Sequence, residues 1–297
     1  MTPQMPSHDP TPRIAIVTSY APEWQALRAE LARQAIPVAI RTINGIDFAT
    51  ADIAGRAVVI YLSGMSMVNA AMSAQLALDR FNISAIILSG IAGSADPALN
   101  VGDVILPARW GQYLESVMAR ETQAGFAPPP FLDGFRVDAP NFGMMHPLSV
   151  EIAQDGQTDR PRRFWFNAAP RLLEAARAAA GIALETGTDA GHQLSHIPRV
   201  IIGGNGLSGP AFVDNAALRI WAHETFDAQV LDMESAAVAH VARANGRDFI
   251  AVRSVSDLAG GGASANEMAT FMGLAATNSV RVVMALIAAI DPTPRGA

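Results

Sequence analysis

The sequence predicts an α/β fold, a single domain in which a central mixed β-sheet is flanked by helices. Short β-branched runs alternate with segments of helical periodicity from Arg13 to Ile290, the order expected of a sheet covered by helices. The run "ISAIILSGIAGS" is almost continuously apolar up to its small C-terminal residues, as in strands buried on both faces. Half of the 297 residues are apolar and 16% are charged, which supplies a sizeable core and argues against disorder.

The elements follow in order. Residues 1–12 are polar and proline-rich and read as a flexible arm, with 291–297 as a frayed tail. "RIAIVTS" is a strand entering the helix "PEWQALRAELARQ", where Pro22 suits the first turn and Trp24, Leu27 and Leu31 recur on one face. "RTINGIDFATADIAGRAVVIYLSG" reads as a hairpin turning at Ala54 and Gly55. Ser66 to Phe81 is helical, "ISAIILSGIAGS" is the central strand and "VGDVILP" a short one. Periodicity then fails over about 111–163, which contains "APPP" and reads as an insertion, a lid or an interface element. Order resumes with the helix "NAAPRLLEAARAAAG", the strand and glycine-rich loop "RVIIGGNGLSGPAF", the helix "AALRIWAHETF" and the strand "AQVLDM". Helix Glu234 to Asn245, strand "FIAVRSVSD" and helix Ala265 to Ile290 complete the chain.

Composition excludes several function classes. Net charge is −6, and all 21 basic residues are arginines scattered along the chain, so no footprint for nucleic acid is visible. There is no cysteine, which removes disulfides and thiolate metal sites. The six histidines lack metal-ligand spacing, and neither a metal nor another cofactor is expected. No apolar run reads as a membrane span and no secretory leader is visible. The expectation is a cytoplasmic protein without membrane partners.

In α/β folds ligands collect at the carboxyl ends of strands. Four such ends carry polar or very small residues: Glu23 after the first strand, "SGIAGS" after the central one, "DMES" after "AQVL", and "SD" after "FIAVRSV". Each has a plain structural reading. Glu23 is a favourable charge at a helix start, "SGIAGS" a tight turn, and Asp232 with Glu234 a helix cap. Arg253 is harder to dismiss, because a charge within an apolar strand needs a partner, and Glu234 or Asp232 on a neighbouring strand end would supply one. Single explanations leave one thing unexplained: the carboxylates gather at strand ends. Together they imply a pocket. His240 and the other histidines read as structural or surface residues.

These motifs carry a family resemblance. "IAIVTSYAPEWQAL", "ADIAGRAVVIYLSGMSMVNAAMSAQLAL", "SGIAGSADPALNVGDVIL", "GLSGPAFVDN" and above all "LDMESAAVAHVARANGRDFIAVRSVSDLA" resemble the nucleoside phosphorylase superfamily. Within it the resemblance is to the 5′-methylthioadenosine/S-adenosylhomocysteine nucleosidases. It covers most of Arg13 to Ile290 and largely leaves out the stretch after Gly111. What it implies is hydrolysis of a purine nucleoside's N-glycosidic bond. Asp257 would share a proton with purine N7, with Ser256 fixing its orientation. Glu234 would grip the ribose hydroxyls, Met233 would pack on the sugar and Phe212 on the purine. Ala92, Gly93, Met65 and Arg253 would complete the binding pocket.

Glu23 falls where these nucleosidases hold the water-activating glutamate. The related phosphorylases bind phosphate with arginines, one of them on the strand before the glycine loop. Here that strand reads "AIILSG". Hydrolysis is therefore expected, against two alternatives: a phosphorylase using Arg109 or an arginine of the insertion, and a non-catalytic nucleoside-binding or transport-associated relative. Ile91 is bulkier than the loop residue the family has, and Ala265 stands where an aromatic is usual. A homodimer is expected, from the resemblance and from helices rich in alanine and methionine.

Overall fold

The computed structural model describes residues 8–291 except 155 and 264. Twelve strands form one mixed sheet: β1 (Asp9–Thr18), β2 (Ala39–Ile43), β3 (Ile46–Ile53), β4 (Arg56–Leu62), β5 (Phe81–Ser94), β6 (Val104–Leu106), β7 (Arg109–Gln112), β8 (Trp165–Asn167), β9 (Val200–Ile202), β10 (Asn205–Ser208), β11 (Ala228–Asp232) and β12 (Asp248–Asp257). The main path runs β8-β7-β10-β11-β5-β1-β4-β3-β2, with β12 between β5 and β6 and β9 beyond β6. Strand β5 is the axis. It pairs in parallel with β1 along one edge and with β12 along the other, and its end, Gly93 and Ser94, meets β11.

Six helices cover the sheet: α1 (Ala21–Arg33), α2 (Met67–Arg80), α3 (Pro170–Ala179), α4 (Ala216–Phe226), α5 (Ser235–Ala244) and α6 (Met268–Ala289). Successive strand residues point to opposite faces, and the two main cores show it. Ala15, Val17, Ala251 and Val255 pack with α2 and α5, whereas Ile14, Ile16, Ile250 and Val252 pack with α1, α3 and α6. This double burial is why the central strands read as apolar runs rather than alternating ones. By length and composition α6 could cross a membrane, contrary to the expectation that no segment could. Eleven of its residues are buried, and it packs on α1, α3 and β12 as a core helix.

Several boundaries move. The arm expected over 1–12 is already β1 from Asp9, whose carboxylate accepts from Arg13 Nε at 2.9 Å and from the Thr11 amide at 2.9 Å. Residues 1–7 and 292–297, the rest of that arm and nearly all of the tail, lie outside the described residues. The single hairpin is two, turning at Asn44-Gly45 and at Ala54-Gly55, all four residues with positive φ as tight hairpins require.

The insertion gives up Gly111 and Gln112 to β7. Beyond them it folds into three two-stranded sheets and a 3₁₀ helix, Pro130–Phe135. Strands of two or three residues are too short to show a period. The insertion braces α4: Trp221 Nε1 donates to the Pro140 carbonyl at 3.0 Å, and the Trp221 and Phe142 rings lie 5.6 Å apart. It also backs the loop after β10, where a methyl group on Gly209 would meet Tyr113 and Leu114.

Candidate active site

Three strand ends converge where β5 passes from β1 to β11. Glu23 follows β1 on the first turn of α1. Its Oε2 accepts from the Ser19 amide at 2.7 Å and the Tyr20 amide at 2.9 Å, and Oε1 accepts from the Ile91 amide at 2.9 Å. One carboxylate thus closes the first turn of α1 and also reaches the central strand. Glu234 follows β11, and its Oε1 accepts from the Ser66 amide at 2.8 Å. Asp257 ends β12, where a register shift after Val255 sets it opposite Gly93. Its Oδ1 accepts from the Ala259 amide at 2.9 Å, and Ser256 Oγ donates to Oδ2 at 2.8 Å.

Arg253 ties the acids together. Its Nε lies 2.8 Å from Asp232 Oδ2, Nη2 donates to Glu234 Oε2 at 3.2 Å, and Nη1 lies 3.6 Å from Glu23 Oε1. The guanidinium is fully buried. Glycine makes the approach possible: a methyl group on Gly90 would overlap both the Arg253 guanidinium and the Glu23 carboxylate. Asp232 also caps α5, accepting from the Glu234 and Ser235 amides at 3.2 Å each and from the hydroxyls of Ser208 and Ser235.

Three carboxylates against one guanidinium leave an excess of negative charge out of water, and burial penalises the ionised forms further. Glu23 is pushed above its ordinary value by burial, against the pull of Arg253 and three backbone amides. Glu234 rises to about 7, through burial first and then repulsion from Asp232 and Glu23, with Arg253 opposing. Asp257 is raised by burial, against its bonds from Ala259, Ser256 and Asn266. The value of about 7 lets Glu234 hold a proton near neutrality, and burial moves Glu23 and Asp257 in the same direction.

A cavity of about 90 Å³ opens on this cluster. It is lined by nine of the ten predicted residues: Glu23, Met65, Ala92, Gly93, Phe212, Met233, Glu234, Ser256 and Asp257. Arg253, expected to bind substrate, does not line it. Buried behind the carboxylates, it positions them instead. Sequence reasoning missed Ser19, Tyr20, Val213 and Met268 in the lining. Ser19 and Tyr20 were findable as the first residues past β1, but Met268 opens a helix and looks like core filler. Ala265 is exposed and outside the lining, and no described residue of the insertion lines the cavity, contrary to the expectation of a lid over it. Arg109 is also elsewhere, with Nε donating to Asn205 Oδ1 at 2.7 Å and its guanidinium stacked 4.3 Å over Trp165. His240, read as a structural or surface residue, stacks on Phe166 at 4.8 Å and does not line the cavity.

Comparison with known proteins bears on the family and the fold. The family model described as Phosphorylase superfamily matches residues 13–288. A 5′-methylthioadenosine/S-adenosylhomocysteine nucleosidase of Treponema pallidum is 31% identical over 216 residues, covering 73% of this chain and 72% of that protein. Another, of Halalkalibacterium halodurans, is 28% identical over 278 residues, covering 93% and 97%. Among solved structures, the futalosine hydrolase of Helicobacter pylori superposes with a TM-score of 0.68 at 17% identity, covering 93% of this chain and 97% of that one. At that identity it attests the fold alone.

Proposed function

The chain belongs to the phosphorylase superfamily, and from that membership and the three converging acids we propose that it is a purine nucleosidase, an N-glycosyl hydrolase of the 5′-methylthioadenosine/S-adenosylhomocysteine type. The observation that carries the reading is one cavity bounded by Glu23, Glu234 and Asp257, acids that arrive from three different strand ends. Glu234 accepts the ribose 2′- and 3′-hydroxyls and Phe212, half exposed at the mouth, covers the base. Asp257 donates its proton to purine N7 as the C1′–N9 bond breaks, so the base departs neutral. The sugar becomes cationic in the transition state, and the anionic cluster around Arg253 favours it. Glu23 removes a proton from the water whose oxygen forms the new bond to C1′. Met65, Phe212, Val213 and Met268 give the wall an apolar part, which suits a thioether at the 5′ position.

Water rather than phosphate is the acceptor because no arginine among the described residues lines the cavity and Glu23 would repel a phosphate dianion by about a kcal/mol or more, an order-of-magnitude figure for like charges at contact. The test is adenine release from 5′-methylthioadenosine in phosphate-free buffer and with added phosphate. Equal rates are expected. Release that needs phosphate would replace the hydrolase reading by a phosphorylase, and tight nucleoside binding with no release at all would favour the non-catalytic alternative.

The homodimer belongs to the same proposal. Met65, Val68 and Met72 are exposed on and just before α2, beside the cavity mouth, an apolar face of the sort subunits cover. Light scattering at micromolar concentration should give about twice the chain's 31.2 kDa; a monomer mass would count against it.

A further inference from the structure

We propose that a second cavity, at the far end of β12 from the acids, is a binding site for a phosphate-bearing small molecule. It encloses about 340 Å³ and is bounded by the start of β12 at Asp248, the start of α3, strand β8 and the end of α5. Asp257, at the other end of the ten-residue strand, lies roughly 30 Å away by strand rise.

Three arginines line this cavity: Arg163, Arg243 and Arg247. None of their guanidinium groups has a hydrogen-bond or ion-pair partner among the described residues. This sets them apart from their neighbours Arg162, paired with Glu151 at 2.9 Å, and Arg171, paired with Asp248. Asp248 is the acid in the lining, and that pairing already occupies it. The carbonyls of Val241, Ala242 and Arg243 at the end of α5 are likewise taken, by the amides of Asn245, Arg247 and Gly246. Helix α3, in turn, begins at the cavity with Ala169 and Pro170 and has no side-chain cap, so its positive end adds to the field.

The sequence hides this grouping, because Arg163 is 80 residues from Arg243 and the arginines look scattered until the chain folds. In a protein of net charge −6, three unpaired cations around a concavity are a local device and not a general electrostatic field. Planar guanidinium groups bind phosphate oxygens in pairs and release their hydration more readily than ammonium groups do. The volume is at the lower end of the range for small-molecule pockets, and Trp165 supplies one aromatic wall. The site is independent of the nucleosidase reading.

Isothermal titration at low ionic strength tests it with two probes. Tripolyphosphate offers the phosphate chain alone, and cytidine diphosphate adds a ring that does not belong in a purine pocket. One molecule of either should bind per chain, more weakly as salt is added. Arg163→Gln, Arg243→Gln and Arg247→Gln should each weaken it about tenfold, the loss expected of one charge-assisted contact. Tighter binding of the diphosphate would identify a nucleotide ligand, and equal binding the phosphate chain itself. The residues are exposed, so the variants should melt as the wild type does and release adenine at its rate. No binding at millimolar probe, or binding that all three variants leave unchanged, overturns the proposal.

Discussion

Asp257→Asn should lower kcat for base release by about a hundred- to ten-thousand-fold, the range for removing a general acid, with little change in KM. The amide has the carboxylic acid's shape and can keep the hydrogen bonds with Ala259 and Ser256 that hold the side chain. Ground-state binding therefore survives, and what disappears is a proton delivered only as the glycosidic bond breaks, which is a loss in kcat. The pH profile carries a second signature. Burial raises the pKa of Asp257, so the wild-type rate should fall as pH rises through that raised value and the acid loses its proton. The residual activity of the variant should lack that limb. A variant within tenfold of wild type would remove Asp257 from the chemistry.

Arg253→Met should cost about 3–5 kcal/mol of stability, the penalty for removing one member of a buried charge network. Methionine fills much of the space, but Glu23, Asp232 and Glu234 then face one another without a cation. The deficit depends on pH in a definite direction. Glu234 already has its folded-state value raised to about 7, and loss of the opposing Arg253 pushes it higher. A raised carboxylate stabilises the fold below its unfolded value, near 4.5, and that contribution is lost as pH rises through the folded value. The melting temperature of the variant should therefore approach the wild type's near pH 5 and fall furthest behind near pH 8. Thermal melts across that range decide it, and a gap independent of pH would show that Arg253 acts by packing alone.

The layered fold was legible because β1, β5 and β12 are covered on both faces, and double burial writes itself into sequence as apolar runs. Glu23, Glu234 and Asp257 were legible for a related reason: each stands at the end of such a run or at the start of the helix that follows it. Arg253 was read as a charge needing a partner, correctly, but its role was misassigned. A sequence shows that a cation is buried without showing on which side of the carboxylates it lies. The insertion was opaque because its strands are too short to carry a period, and its contact with Trp221 joins residues far apart in the chain. The three arginines of the second cavity left no signal at all, since only the return of β8 to the sheet sets Arg163 beside the end of α5.

The carboxylate of Glu23 takes its hydrogen bonds from the main chain of Ser19, Tyr20 and Ile91, whose side chains are not needed for that job. Those three positions also border the cavity. Exchange of those side chains can thus reshape the cavity for different ligands while the Glu23 carboxylate stays where it is. Such a division of labour separates the freedom to change preference from the obligation to keep reacting.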